Sequence, residues 1–208
     1  MTPDPPGCSF CATSGRRRFA LSLQDETIRD VQSFTTRTGT VADVDLVGAI
    51  VQAGFESYRE FAPRDWTPPD VAADRDRRAE VFADPASWAL IALSEGVPAG
   101  HVAFLPARVP PTEESRVGWK ARAVIPGLAY LWQLFVLPEW WGCGVAPLLH
   151  DAATAQMRAE GYGDARLLTP SLQTRARRFY ERRGWLAQAE TWSEEFALAM
   201  TEYRLPLD

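Results

Sequence analysis

Apolar positions along this chain change period several times, and each change marks an element. Phe34 to Thr38 alternates, as a half-buried strand does. Leu46, Val47, Ile50, Val51, Phe55 and Tyr58 recur at helical spacing, which predicts a helix over about 42–58, with cap candidates in Thr40 to Asp43. Phe61 to Pro69 holds three prolines and Trp66 and reads as a loop. A second helix is expected over about 70–83, with Val71, Val81 and Phe82 inward. It ends near Asp84-Pro85, because the residue before a proline avoids the helical region. Trp88 to Ser94 is a strand, Glu95-Gly96 a turn, and Val97 to Leu105 the returning strand.

Pro106 to Gly127 is proline-rich and charged, and reads as a long irregular connection. The strongest signal follows. Leu128 to Leu137 is an almost unbroken apolar run, so it is a buried strand ending at Pro138. Next comes Glu139-Trp140-Trp141-Gly142-Cys143-Gly144-Val145-Ala146, then a helix over about 145–160 with Leu148, Leu149, Ala152 and Met157 inward. Pro147 sits in its first turn, where a missing N–H costs little, and Gly161 and Gly163 end it. Ala165 to Leu168 is a short strand. Ser171 to Arg183 is a helix with Leu172, Ala176, Phe179 and Tyr180 on one face, closed by Gly184. Trp185 to Ala189 and Glu195 to Leu205 complete the pattern as two strands. This order implies an α/β fold: a mixed central sheet of about six to seven strands flanked by about four helices, antiparallel early and with one right-handed crossover later.

Composition narrows the picture. A chain of 208 residues with 46% hydrophobic content suits one domain with a real core. Residues 1–31 lack sustained periodicity and are expected to be a flexible N-terminal extension, with the folded domain at 32–208. The net charge of −5 gives no global attraction to nucleic acid. No apolar run approaches the roughly 20 residues that span a bilayer, and the opening segment is not a secretory signal, so a cytoplasmic location is the default. Cys8 and Cys11 are half of a zinc-site spacing with no second half in view, so no metal is implied and the pair reads as inert.

Strand, glycine loop and helix start together form a device for holding phosphate. The first N–H groups of a helix have no internal partners, and the dipole there favours an anion. Two motifs give this a family. One is Leu134-Phe135-Val136, then Pro138-Glu139 and Gly142-x-Gly144-x-Ala146. The other is Arg175-Ala176-Arg177-Arg178-Phe179-Tyr180-Glu181-Arg182-Arg183-Gly184-Trp185. As a pair they resemble the GNAT superfamily of N-acyltransferases, over about residues 33–206 in element order. Departures from that family's pattern are Trp141 where Arg or Gln is usual, Gln173 for Asn, Trp185 for Phe, and Gln133 where a strand glutamate often stands.

The resemblance implies acetyl-CoA as acyl donor and no metal. The cofactor-binding set is Leu134, Phe135, Val136, Trp141, Gly142, Cys143, Gly144, Val145, Ala146, Gln173, Ala176 and Phe179, with the amides of about 142–146 on the pyrophosphate. Strand 128–137 would splay from strand 165–168 to admit pantetheine, and a backbone N–H near Phe135 or Val136 would polarise the thioester. Tyr180 stands at the family position of the acid that protonates the leaving thiolate, and a tyrosine is protonated at neutral pH. Tyr58, Phe61, Trp66, His101, Gln133 and Trp192 are candidates for the acceptor side, with Glu190, Glu194 and Glu195 beside Trp192 suited to a cationic amine. His101 and His150 read otherwise as satisfied core residues, and Glu139 as a capping or solvated group. Cys143 would face phosphate rather than thioester. The arginines from Arg175 to Arg183 are either a solvated face or, in part, contacts to CoA phosphates.

The expected function is acetyl-CoA-dependent N-acetyl transfer, direct, to a primary amine of a small molecule, by a monomer or homodimer without nucleic-acid or membrane partners. The alternatives are a non-catalytic acyl-CoA-binding or sensing domain, and a protein or peptide N-acetyltransferase. A Rossmann-type nucleotide binder finds an acid at suitable spacing in Asp164 but lacks the repeating βαβ pattern.

Overall fold

A computed structural model of the protein describes residues 33–110 and 119–207. The expected extension at 1–31, with Cys8 and Cys11, lies outside the described residues. The elements are β1 (Phe34–Thr38), α1 (Val44–Glu56), α2 (Arg75–Ala83), β2 (Trp88–Ser94), β3 (Val97–Arg108), β4 (Val124–Val136), α3 (Val145–Ala159), β5 (Asp164–Pro170), α4 (Thr174–Arg182), β6 (Leu186–Ser193) and β7 (Leu198–Pro206). One seven-stranded sheet runs β1-β2-β3-β4-β5-β7-β6. Every neighbouring pair is antiparallel except β4 with β5. The mixed sheet with four α-helices matches the expected class.

Two cores cover the two faces. On one, Val47, Val51 and Phe55 of α1 pack with Tyr58, Trp66, Val71, Ile91, Leu198 and Met200. On the other, Val145, Leu149, Ala153 and Met157 of α3 pack with Phe104, Leu131, Tyr180, Trp185 and Tyr203. The inward stripe of α3 is therefore 145, 149, 153 and 157, and Leu148, expected inward, is exposed. Leu172 lies in the turn before α4 and is also exposed, because α4 starts at Thr174 rather than Ser171.

Other boundaries differ too. α2 begins at Arg75, not near 70, because the Asp70 carboxylate accepts the N–H groups of Ala72 (2.9 Å) and Ala73 (3.1 Å) and holds those residues in a turn. Val71 still packs in the core. β3 and β4 extend into the stretch read as irregular, with Arg108 opposite Val124, where an uneven register hides the alternation. β6 runs on to Ser193 and β7 starts at Leu198, so Trp192 lies within a strand.

A bulge in β4 sets up the site. Phe104 pairs with Leu131 and Ala103 with Gln133, which leaves Trp132 as an extra residue. Before it, Ala129 and Leu131 face the α3 core. After it, Leu134 and Val136 do, while Phe135 turns to the α1 core. Without the extra residue, Phe135 and Val136 would exchange faces.

Candidate active site

β4 and β5 pair only at Leu128 with Asp164, Ala129 with Ala165, and Tyr130 with Arg166. Beyond Tyr130 no pairing joins them, although β4 continues to Val136 and β5 to Pro170. A wedge opens there, as the resemblance implied. Its main-chain groups follow from parity. The Leu137 N–H donates to the Ala99 carbonyl (3.0 Å), so Leu137 and Phe135 direct their polar groups at β3. Leu134 and Val136 direct theirs into the wedge. Of the two backbone donors expected at the thioester, the ladder turns Val136 into the wedge and Phe135 towards β3.

The wedge ends at the glycine loop. A turn over Pro138–Trp140 is closed by Trp140 N–H to the Leu137 carbonyl (2.9 Å) and Trp141 N–H to that of Pro138 (3.1 Å). Gly142 and Gly144 both have positive φ, 80° and 93°, which a side chain would strain. The Cys143 N–H donates to the Trp140 carbonyl (3.2 Å), so it leaves the expected set of anion-facing amides. Gly144, Val145 and Ala146 supply the open donors at the start of α3, and Pro147 brings no fourth N–H to satisfy.

Trp141 occupies the loop's first position in a distinctive way. Its indole N–H donates to the Val136 carbonyl in the wedge (2.8 Å). The guanidinium of Arg175, from the first turn of α4, lies 3.8 Å from the centre of its ring. Gln173 stands at the N-cap position of the same helix, and its side-chain oxygen accepts from the Thr169 hydroxyl (3.3 Å) at the end of β5. Ala176 and Phe179 pack against the α3 core, Phe179 edge-on to His150 (5.6 Å).

Tyr180 is buried, and among the described residues its hydroxyl has no hydrogen-bond partner. Burial raises its pKa, and a charge on Tyr130 would raise it further. Tyr58, on the opposite face of the sheet, is raised by burial and by proximity to Tyr180. Both are neutral and able to donate a proton over the physiological range.

Tyr58 is buried, Phe61 lies 5.1 Å from it and Trp66 5.9 Å, ring centre to ring centre. The Trp66 indole donates to the Phe196 carbonyl (2.7 Å), and the Phe196 ring packs on Phe55 (5.7 Å). Trp192 does not join them. It pairs with Ala199 in register, and residues directly opposite share a face; Leu198 and Met200 hold the α1 face, so Trp192 lies on the other, exposed. Phe196, read from sequence only as part of an alternating strand, packs against this aromatic set instead. Glu195 is drawn off by Arg77 (3.3 Å).

Gln133 is buried rather than on a solvated strand face, and its carbonyl oxygen is unpartnered among the described residues. His101 is fully buried, stacked on Phe135 (6.2 Å), with both ring nitrogens unpartnered among the described residues. Burial, helped by nearby Arg78, lowers its pKa to about 3, so it is a neutral core residue. His150 is also buried and neutral. Its Nε2 accepts from the Trp185 indole (2.9 Å), and its Nδ1 faces Asp151 (3.1 Å). Arg183 pairs with Asp151, and Arg177 donates to the Tyr203 hydroxyl (3.0 Å) and the Ser171 carbonyl (3.0 Å), so both arginines are committed within the protein. No helix among the described residues is long and apolar enough to cross a membrane.

The open stretch between β4 and β5 thus lies beside a glycine-initiated helix, and a buried neutral phenol stands on α4. The chain matches the model of the acetyltransferase (GNAT) family over residues 51–185, and it belongs to that family. Among solved structures it is similar to a GNAT-family protein of Desulfovibrio desulfuricans at 21% identity, covering 85% of this chain and 100% of that one, with a TM-score of 0.60. It is similar to the PaiA N-acetyltransferase of Thermoplasma acidophilum, a complex with coenzyme A, at 12% identity, 83% and 99% coverage and a TM-score of 0.58. A GNAT-family acetyltransferase of Staphylococcus aureus Mu50 gives 10% identity, 85% and 100% coverage and a TM-score of 0.62. At these identities the likeness establishes the fold. No curated protein matches the chain.

Proposed function

We propose that the protein transfers the acetyl group of acetyl-CoA directly to a primary amine of a small molecule. The observation that carries this is the unpaired stretch of β4 beyond Tyr130, flanked by the open amides of Gly144, Val145 and Ala146 and by Tyr180. Pyrophosphate sits on the start of α3, and pantetheine lies along Leu134 and Val136. The amine, as free base, attacks the thioester carbon. The Val136 N–H stabilises the oxyanion; a preorganised donor of this kind contributes about 3 kcal/mol. As the C–S bond breaks, Tyr180 gives its proton to the sulfur. Gln133 cannot take the amine's proton, so that proton leaves through water, and water returns one to the Tyr180 phenolate. The rings of Tyr58, Phe61, Trp66 and Phe196 form a compact wall that suits a small acceptor better than an extended peptide.

One feature favours a second reading, an acyl-CoA-binding domain without turnover: Gln133 offers no base where the family often has a carboxylate. Thermal-shift measurements with CoA, acetyl-CoA and longer acyl-CoAs, then thiol release over a panel of primary amines, separate the two. Stabilisation by acetyl-CoA and amine-dependent thiol release are expected. Stabilisation without release for any amine supports the second reading, and no stabilisation by any CoA compound removes both.

A further inference from the structure

We infer that Arg175, carried on the indole of Trp141, is the side-chain cation for the pyrophosphate of acyl-CoA, reaching the glycine loop from α4 instead of from the loop itself. The inference rests on the acyl-CoA reading above and deepens it. The loop's first position is Trp141, whose only N–H donor beyond the backbone is spent on the Val136 carbonyl (2.8 Å). The loop therefore has open amides but no cation of its own. Arg175 supplies one. It belongs to a different helix, yet its guanidinium lies 3.8 Å from the centre of the Trp141 ring, one residue before Gly142.

The stack on Trp141 separates Arg175 from the other arginines of that segment, of which Arg178 and Arg182 also form no ion pair or hydrogen bond among the described residues. Arg177 and Arg183 are engaged with Tyr203, Ser171 and Asp151. Arg175 is exposed, and among the described residues it forms no ion pair and no hydrogen bond. A guanidinium stacked on an indole keeps its N–H donors in its own plane, pointing outward and free for an anion at the edge. The stack also restricts the side chain before binding, which lowers the ordering cost of a phosphate contact. Trp141 thus links the two ends of the ligand path, holding the Val136 carbonyl with its N–H and Arg175 with its face.

The test is calorimetric binding of CoA and of 3′-dephospho-CoA to the full chain and its variants, with melting temperature measured in parallel. Arg175→Gln is expected to raise the Kd for both compounds roughly ten- to hundredfold, the range of a charge-assisted phosphate contact, and to flatten the salt dependence of binding, with an unchanged melting temperature. Arg175→Lys is expected to recover part of the loss, and Trp141→Leu to weaken binding by a smaller factor. Arg182→Gln removes an equal charge about 10 Å further along the helix and is expected to leave Kd unchanged. An unchanged Kd in Arg175→Gln, or an equal effect of Arg182→Gln, overturns the inference. An effect seen with CoA but not with 3′-dephospho-CoA overturns the pyrophosphate assignment in favour of the 3′-phosphate. If the wild type binds neither compound, the acyl-CoA reading itself fails.

Discussion

The ring of Phe135 lies directly on the bare Cα of Gly54. A Cβ built on Gly54 would fall on two carbons of that ring. Helix α1 therefore approaches β4 as closely as a missing side chain allows, at the strand residue next to Val136. From the far side, Gly100 does the same: a Cβ there would sit 2.6 Å from the Phe135 carbonyl oxygen. The edge of the wedge is clamped between two glycines.

Gly54→Ala tests that clamp. Helix propensity alone favours alanine by up to about 1 kcal/mol, but overpacking costs about 1–3 kcal/mol. A net loss of stability is expected in denaturant titration, together with reduced turnover as β4 shifts. A variant as stable as wild type would show that Phe135 can move without cost.

Tyr180→Phe removes one buried hydroxyl from α4. Turnover is expected to fall about 10²- to 10⁴-fold, the usual weight of a general acid, with CoA affinity retained in calorimetry. Undiminished turnover takes Tyr180 out of the mechanism.

The bond between the Trp185 indole and His150 Nε2 ties the end of α4 to α3, and Trp185 packs edge-on to Tyr180 (5.8 Å). Trp185→Phe leaves a buried ring nitrogen without its donor and is expected to cost about 1–3 kcal/mol. In the double variant with His150→Phe the losses should be less than additive, because both remove the same bond. Strict additivity would mean the bond contributes nothing.

His101 makes stability depend on pH. Its pKa is about 3 in the folded chain, against about 6.5 when unfolded. Below about pH 6.5 the unfolded state takes up a proton that the folded state refuses. The contribution is therefore fully present above pH 6.5 and lost as pH falls towards 3, by about 1.4 kcal/mol per pH unit. His101→Leu should flatten this decline in urea titrations between pH 7 and 4. An unchanged slope would place the acid sensitivity elsewhere.

By itself, the sequence determined the element order, the class of sheet and the loop that starts α3. These are local matters: hydrophobic period, a proline stop, and glycines where φ is positive. The paired motifs Gly142-x-Gly144-x-Ala146 and Phe179-Tyr180 were enough to indicate the family. Tertiary structure alone decided which groups face the wedge. The extra residue Trp132 reverses the faces of β4 by its pairing with β3, and pairing is not written in one strand. The same holds for Trp192, which the register with β7 carries away from the aromatic wall, and for Phe196, which the turn brings in. It holds most for Arg175 and Trp141, which are 34 residues apart in the chain and meet only because α4 packs beside the start of α3.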